Sequence, residues 1–354
     1  MNRHSRSTNH RWMPTRLGAA ALTAAAILGT TALVNARRAR QAERNNPPAG
    51  HFLDIEGVGL HYLERGEGPP LVLLNGNGVM VQDFEISGII ERLAQRYRVI
   101  AVDRPGFGHT NRPRSRSWTP AAQADVVHKA LVRLNIKQAI VVGHSWGTLV
   151  ALSLALDHPA DVRSLVLLSG YYFPTFRGDV LISLPTAVPI IGDLLSYTVA
   201  PLLGRAMRSR VFRKLFAPAA VPPRFQADFP SELSLRPSQL KASAEDTVSM
   251  TPSAAALGKR YDELKMPIVI MAGTGDRIVD FARQSRRLDE VLGDSTLLPF
   301  KGAGHMIHHS ASEKVVDGIN LASRAGIAEN GQLLPMQQPT TVDAGQKPEA
   351  VIAA

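Results

Sequence analysis

The chain of 354 residues contains no cysteine. That excludes disulfides, a thiolate nucleophile and cysteine-ligated metal, and it is silent about compartment. Acidic residues are scarce at the start. Positions 1–50 hold eight arginines (Arg3, Arg6, Arg11, Arg16, Arg37, Arg38, Arg40 and Arg44) and one acid, Glu43, so +7 of the formal net charge of +10 sits there. The remainder is close to balanced, which removes nucleic acid as a partner of the body. No internal repeat is visible. A hydrophobic share of 45% with 20% charged residues is that of a globular chain long enough to bury a large core.

Charge is missing altogether from Leu17 to Val34, LGAAALTAAAILGTTALV, and arginines flank this run on both sides. As a helix it spans about 27 Å, close to a bilayer core of about 30 Å. The leading expectation is a single-pass N-terminal membrane anchor. One alternative is a signal sequence cut after the small residues of Val34-Asn35-Ala36, with export of the remainder, although Arg37-Arg38 would follow the cut. The other is a buried or disordered Ala-rich segment. Four arginines precede the run and four follow it closely, so charge sets no orientation. Asn45-Asn46-Pro47-Pro48 reads as a linker, and residues 1–50 as a segment separable from the rest.

From His51 the pattern changes. HFLDIEGVGLHYLER suggests a hairpin turning near Glu56–Gly59. Short apolar runs follow at Leu71–Leu74, Val99–Val102, Ile140–Val142, Leu165–Leu168, Ile268–Met271 and Thr296–Leu298. Helical patterns around Ile86–Arg96, Ala121–Leu134 and Trp146–Asp157 separate most of them. Strands that are apolar throughout and alternate with helices predict an α/β fold with a mostly parallel sheet covered on both faces. The alternation stops between Tyr172 and Leu264, where amphipathic pieces such as Ile191–Leu203 and Ala206–Phe216 suggest an inserted helical cap. The expected layout is core over 51–172, cap over 173–264, core over 265–326 and a disordered polar tail over 327–354.

In an open α/β sheet the ligand site lies beyond the carboxyl ends of the strands. Gly143-His144-Ser145-Trp146-Gly147 follows the third run, Gly273-Thr274-Gly275-Asp276 the fifth, and Gly302-Ala303-Gly304-His305 the sixth. A serine, an acid and a histidine thus fall on three strand ends, in that order. Together with DRPGFGHTNRP (103–113), these motifs make residues 51–325 resemble the α/β-hydrolase superfamily, in its serine-hydrolase form with a helical cap.

The resemblance implies Ser145 as nucleophile, His305 as base and Asp276 as the acid that orients it. It implies oxyanion donors at the backbone N–H of Asn77 and of Trp146. Trp146, Tyr171 and Tyr172 are candidates for lining a substrate pocket, with core packing as the alternative. His144 and Asp103 read as structural, and His308 and His309 as helix-start or rim residues. The expected reaction is hydrolysis of an apolar, ester-like small molecule through an acyl-enzyme, with no cofactor or metal. Carbon–carbon bond hydrolysis with the same triad, or a non-catalytic ligand-binding role on the same fold, are the alternatives. One departure is Asn75-Gly76, where relatives usually carry His-Gly. Asn77 followed by an elbow Trp is also similar to haloalkane dehalogenases, but serine at 145 disfavours their aspartate chemistry.

Overall fold

The computed structural model describes residues 16–325. The expected tail at 327–354 and the first four arginines save Arg16 lie outside the described residues.

The apolar runs form one eight-stranded sheet. Its strands are β1 (His51–Ile55), β2 (Val58–Arg65), β3 (Pro70–Leu74), β4 (Arg98–Val102), β5 (Ala139–His144), β6 (Val162–Leu168), β7 (Ile268–Gly273) and β8 (Thr296–Phe300). Their order is β1-β2-β4-β3-β5-β6-β7-β8. The β1–β2 hairpin turns on Glu56 and Gly57, both at positive φ (53° and 82°), the geometry a tight two-residue hairpin needs. Strand β2 pairs antiparallel with β1 and β4, whereas β3 to β8 pair in parallel.

Side chains alternate between the faces, and both faces are covered. Val72, Leu74, Val141 and Leu165 share one cluster with α4 (Pro120–Arg133) and α5 (Gly147–Asp157). Leu71, Leu73, Ile140 and Val166 share the other with α2 (Val81–Ser87), α3 (Ile89–Leu93) and α14 (Ser312–Ala325). Double coverage is why these strands read as continuous apolar runs.

Between β6 and β7 run α6 (Gly178–Ala187), α7 (Ile191–Tyr197), α8 (Val199–Phe216), α9 (Pro223–Asp228), α10 (Ser231–Ser234) and α11 (Pro237–Leu257). They form a helical cap, and its longest helix, α11, packs on α5. The short helices α12 (Arg287–Leu292) and α13 (Ile307–Ser310) flank β8.

The N-terminal helix α1 (Arg16–Asn45) is longer than its apolar run. Its last third is not a free linker. Asn35 and Ala42 are buried against the cap, and Arg236 Nη1 of the cap pairs with Glu43 at 2.8 Å. The segment 1–50 therefore does not separate cleanly from the body at Pro47.

Candidate active site

Strands β3 and β5 are neighbours, and the chain leaves β3 for α2 on one face of the sheet and β5 for α5 on the other, so a crevice opens at their carboxyl ends. In register there, Leu74 faces Gly143 and His144 faces Leu168. The loop after β3 carries Asn75-Gly76-Asn77, and the turn after β5 carries Ser145.

Ser145 sits at φ +52°, a left-handed conformation that costs a residue with a Cβ about 1–2 kcal/mol. The surrounding backbone holds it there. Its N–H donates to Leu168 O at 2.8 Å, and Thr148 Oγ1 donates to its carbonyl at 2.6 Å. The flanking glycines are sterically required. A Cβ on Gly147 would lie 2.4 Å from Leu74 O, and one on Gly143 would lie 2.7 Å from Gly147 O. The turn thus lifts a half-buried serine above the sheet, next to the N-terminus of α5.

His305 follows β8 and Asp276 follows β7. His305 Nε2 lies 2.9 Å from Ser145 Oγ, and His305 Nδ1 lies 2.7 Å from Asp276 Oδ2. A carboxylate only accepts, so the Nδ1 proton points at Asp276 and the Nε2 lone pair is left for the serine hydroxyl. The other Asp276 oxygen, Oδ1, accepts the N–H groups of Ile278 (2.7 Å) and Val279 (3.0 Å), which fixes the carboxylate plane. Both side chains of the His305–Asp276 pair are nearly fully buried.

Opposite the serine, Gly76 comes so close that a Cβ there would lie 3.2 Å from Ser145 Cβ. The Gly76 carbonyl accepts from Arg104 Nη2 at 2.9 Å and from Asn75 Nδ2 at 3.0 Å. In a trans peptide the C=O and N–H point in opposite directions, so pinning this carbonyl turns the Asn77 N–H away from Arg104. None of the described residues accepts from the Asn77 or the Trp146 N–H.

Arg104 is missing from the sequence expectations, as is its partner. Fully buried, it pairs with Asp246 of α11 at 2.7 Å and donates to the Asn75 carbonyl at 2.7 Å. Its guanidinium lies 4.4 Å from the ring centres of both Phe107 and Trp146. Trp146 is itself buried, with Nε1 donating to Asp246 O at 2.9 Å. The Asn77 side chain bonds Ser243 O, Thr247 Oγ1 and Ser243 Oγ. One cap helix therefore clamps both the loop after β3 and the residue after the serine. The two side chains that would hold a halide are spent on that helix.

The remaining candidates separate by burial. Asp103 is buried and accepts from the Val81 and His109 N–H groups while bonding His61 Nδ1 at 2.7 Å. Tyr171 lines a cleft of about 370 Å³ beside the Asp276 loop, with Phe176, Arg177 and Val279. Tyr172 is fully enclosed, and burial pushes its hydroxyl far up. His144 donates Nε2–H to His305 O at 3.3 Å, and burial holds it well below the usual histidine range, with His308 and His305 adding to the effect.

His308 and His309 lie at the start of α13, as expected, but inside the molecule and not on a rim. They bond the two oxygens of buried Asp83 at 2.9 and 2.8 Å. Burial pushes Asp83 up, but its two histidine contacts outweigh this and hold it well below the carboxylate range. Burial pushes His308 down more than Asp83 pulls it up. Among the described residues, two groups have ligand atoms close enough to hold a metal ion: Asp83, His308 and His309, and the half-buried His128, His158 and Asp161. In the first, both carboxylate oxygens already accept ring N–H groups.

Comparison with known proteins agrees with this architecture. Residues 69–312 match the family model of the alpha/beta hydrolase fold. A 2-hydroxymuconate semialdehyde hydrolase from Pseudomonas sp. (strain CF600) is 35% identical over 39% of this chain and 50% of its own length. A haloalkane dehalogenase from Mycobacterium marinum (strain ATCC BAA-535 / M) is 30% identical over 52% of this chain and 63% of its own. The chain thus spans half to under two thirds of these two relatives. A 2-hydroxymuconate semialdehyde hydrolase from Pseudomonas putida is 27% identical over 77% of this chain and 93% of its own. Among solved structures, an alpha/beta hydrolase fold protein from Burkholderia ambifaria superposes with TM-score 0.62 at 21% identity, covering 76% of this chain and 98% of its own. A variant of the meta-cleavage product hydrolase CumD from Pseudomonas fluorescens IP01 gives 0.59 at 23%, covering 78% and 100%. With its parallel sheet, its serine on a strained strand-to-helix turn and a family match over more than half its length, the chain belongs to the α/β-hydrolase fold family.

Proposed function

We propose that the protein is a membrane-anchored serine hydrolase acting on carboxylic esters. The observation that carries the chemistry is the line Ser145 Oγ–His305 Nε2–Asp276, at 2.9 and 2.7 Å, on a serine held at positive φ. His305 takes the hydroxyl proton as Ser145 Oγ attacks the ester carbonyl. The oxyanion is held by the N–H groups of Asn77 and Trp146, with the N-terminus of α5 beneath it. His305 then gives its proton to the departing alcohol. Water, deprotonated by His305, cleaves the acyl-serine and restores the hydroxyl.

Dehalogenation does not suit this site. Serine displacing a halide forms an ether, which has no carbonyl for water to attack, whereas an aspartate nucleophile forms a hydrolysable ester. Carbon–carbon bond hydrolysis is the second reading, favoured by the likeness to the 2-hydroxymuconate semialdehyde hydrolase of P. putida. The test is turnover of p-nitrophenyl esters of increasing chain length beside 2-hydroxymuconate semialdehyde. Faster turnover of the esters, abolished in Ser145→Ala, supports the ester reading. Preference for the semialdehyde replaces it with the second. Stoichiometric labelling of Ser145 without turnover points to a binding module instead.

The anchor reading rests on α1. From Ala19 to Thr30 every residue is exposed, around the whole circumference of an apolar helix long enough to cross a bilayer. A core helix would be covered on at least one side. Cleavage after Ala36 would also remove Asn35, whose buried amide donates to Tyr197 O and Thr198 O. Mass spectrometry of the mature N-terminus tests this: retention of residues 17–34 supports the anchor, and a start near Arg37 overturns it.

A further inference from the structure

Large apolar side chains are exposed in two stretches, α1 and the cap segment from Phe176 to Val211. Outside them only Phe52, Val132 and Val291 are so exposed among the described residues. The cap stretch is therefore not scattered surface hydrophobicity but a patch. It borders the base of α1. Asn35 marks the end of the apolar run, and its amide donates to the carbonyls of Tyr197 and Thr198 at the α7–α8 junction, while Arg205 Nη1 donates to its oxygen at 2.9 Å. Around that junction Leu194, Tyr197, Val199, Leu202 and Leu203 are exposed.

A second observation lies at the corner between α6 and α7, which meet at 100°. Ile190 sits there at φ +67°, 82% exposed. A β-branched residue is costly in that conformation, and an apolar side chain gains nothing by projecting into water. Both costs are reasonable if the corner projects into hydrocarbon.

Charge follows the same geometry. On α1 the apolar run gives way to Arg37, Arg38, Arg40 and Arg44. On α8 the apolar start gives way to Arg208, Arg210, Arg213 and Lys214, all exposed; Lys214 acts on the nearby Asp179, and the three arginines form no ion pair among the described residues. Arg38 and Arg208 line one cleft between the two helices, so the two basic stretches lie side by side. An apolar collar with a basic band behind it matches the acyl and headgroup layers of an anionic leaflet.

We infer that this collar, from the α6–α7 corner to the start of α8, inserts into the lipid leaflet that α1 enters, with the basic band at the anionic headgroups. The inference rests on the reading of α1 as an anchor. Phe176, the most exposed of the cap's apolar side chains, also lines the cleft beside the Asp276 loop, so the exposed apolar stretch of the cap begins at that cleft's rim.

The absence of native cysteine allows one reporter per variant of the full chain. Ile190→Cys and Leu203→Cys probe the collar, Leu28→Cys probes α1, and Val291→Cys on α12 is the aqueous control. Each is labelled with an environment-sensitive fluorophore and reconstituted into bilayers of phosphatidylcholine and phosphatidylglycerol containing nitroxide lipids. The collar labels should be blue-shifted and quenched by shallow nitroxides, the Leu28 label quenched by deep ones, and the Val291 label unaffected. Collar labels in water with the Leu28 label in lipid would overturn the collar and leave the anchor standing. All labels in water would overturn both. Collar labels that are blue-shifted but unquenched would mean a protein surface, such as a second copy, covers the patch, and would also overturn the inference.

Discussion

Each proposed catalytic group is held by a bond to its neighbour's unused atom. Asp276 spends one oxygen on two backbone N–H groups and the other on His305. His305 therefore has one nitrogen left, and it faces Ser145. Removing the serine should lower ester hydrolysis by at least about 10³-fold. His305→Ala should be as inactive, whereas His308→Ala and His309→Ala should retain most activity, since both rings bond Asp83 and not the serine. Steady-state kinetics on one p-nitrophenyl ester checks the ranking, and the reverse order would move the base. The serine, acid and histidine are legible in the sequence because each lies just past an apolar run, and the parallel sheet brings those ends together. Arg104 and Asp246 are not legible. They are 142 positions apart, and no local pattern says that a buried arginine will turn the peptide beside the serine. Removing one partner from such a pair costs about 3–5 kcal/mol, because the other charge stays buried and unpaired. Asp246→Ala should show that loss in denaturant unfolding, together with a lower kcat.

Elements set a different limit on what sequence shows. The reading of one helix over Ile86–Arg96 misses a break at Gly88, whose φ of +74° ends α2 and starts α3. The two pieces expected at Ile191–Leu203 and Ala206–Phe216 divide instead at Thr198, and α8 runs straight through Gly204. Glycine serves close approach there and not a turn: a Cβ would lie 2.4 Å from Leu235 Cδ2, the tip of a side chain that would have to turn aside. The same limit applies to α1, where apolar periodicity shows the run but not the docked end. Deleting residues 1–46 removes Asn35, Ala42 and Glu43 from the cap and should lower its stability, whereas deleting residues 1–30 should leave the melting temperature of the detergent-solubilised protein nearly unchanged. Equal melting temperatures for both truncations would mean that the docked end of α1 contributes nothing.

For the whole molecule, the buried rings of His144, His305 and His308, packed together behind the serine, tie stability to pH. His144 and His308 are held neutral by burial, below the unfolded histidine value of about 6.5. Below that value the unfolded chain binds more protons than the folded one, so stability falls as pH falls from about 6.5. Asp83, held low, adds a further loss only below the unfolded carboxylate value of about 3.9. Melting temperatures at descending pH should therefore drop in the histidine range, with a shallower slope in His144→Asn, whatever that variant's stability at neutral pH. A flat profile in the wild type would mean these rings do not resist protonation.

The central claim is that Ser145 is the nucleophile, and covalent capture tests it most directly. The full-length protein is treated with a fluorophosphonate, digested and mapped by mass spectrometry, with ester turnover followed in parallel. The predicted result is one adduct per chain on Ser145, formed in step with loss of activity and absent in Ser145→Ala and His305→Ala. An adduct on another residue, or full ester hydrolysis by chains already labelled at Ser145, would contradict it.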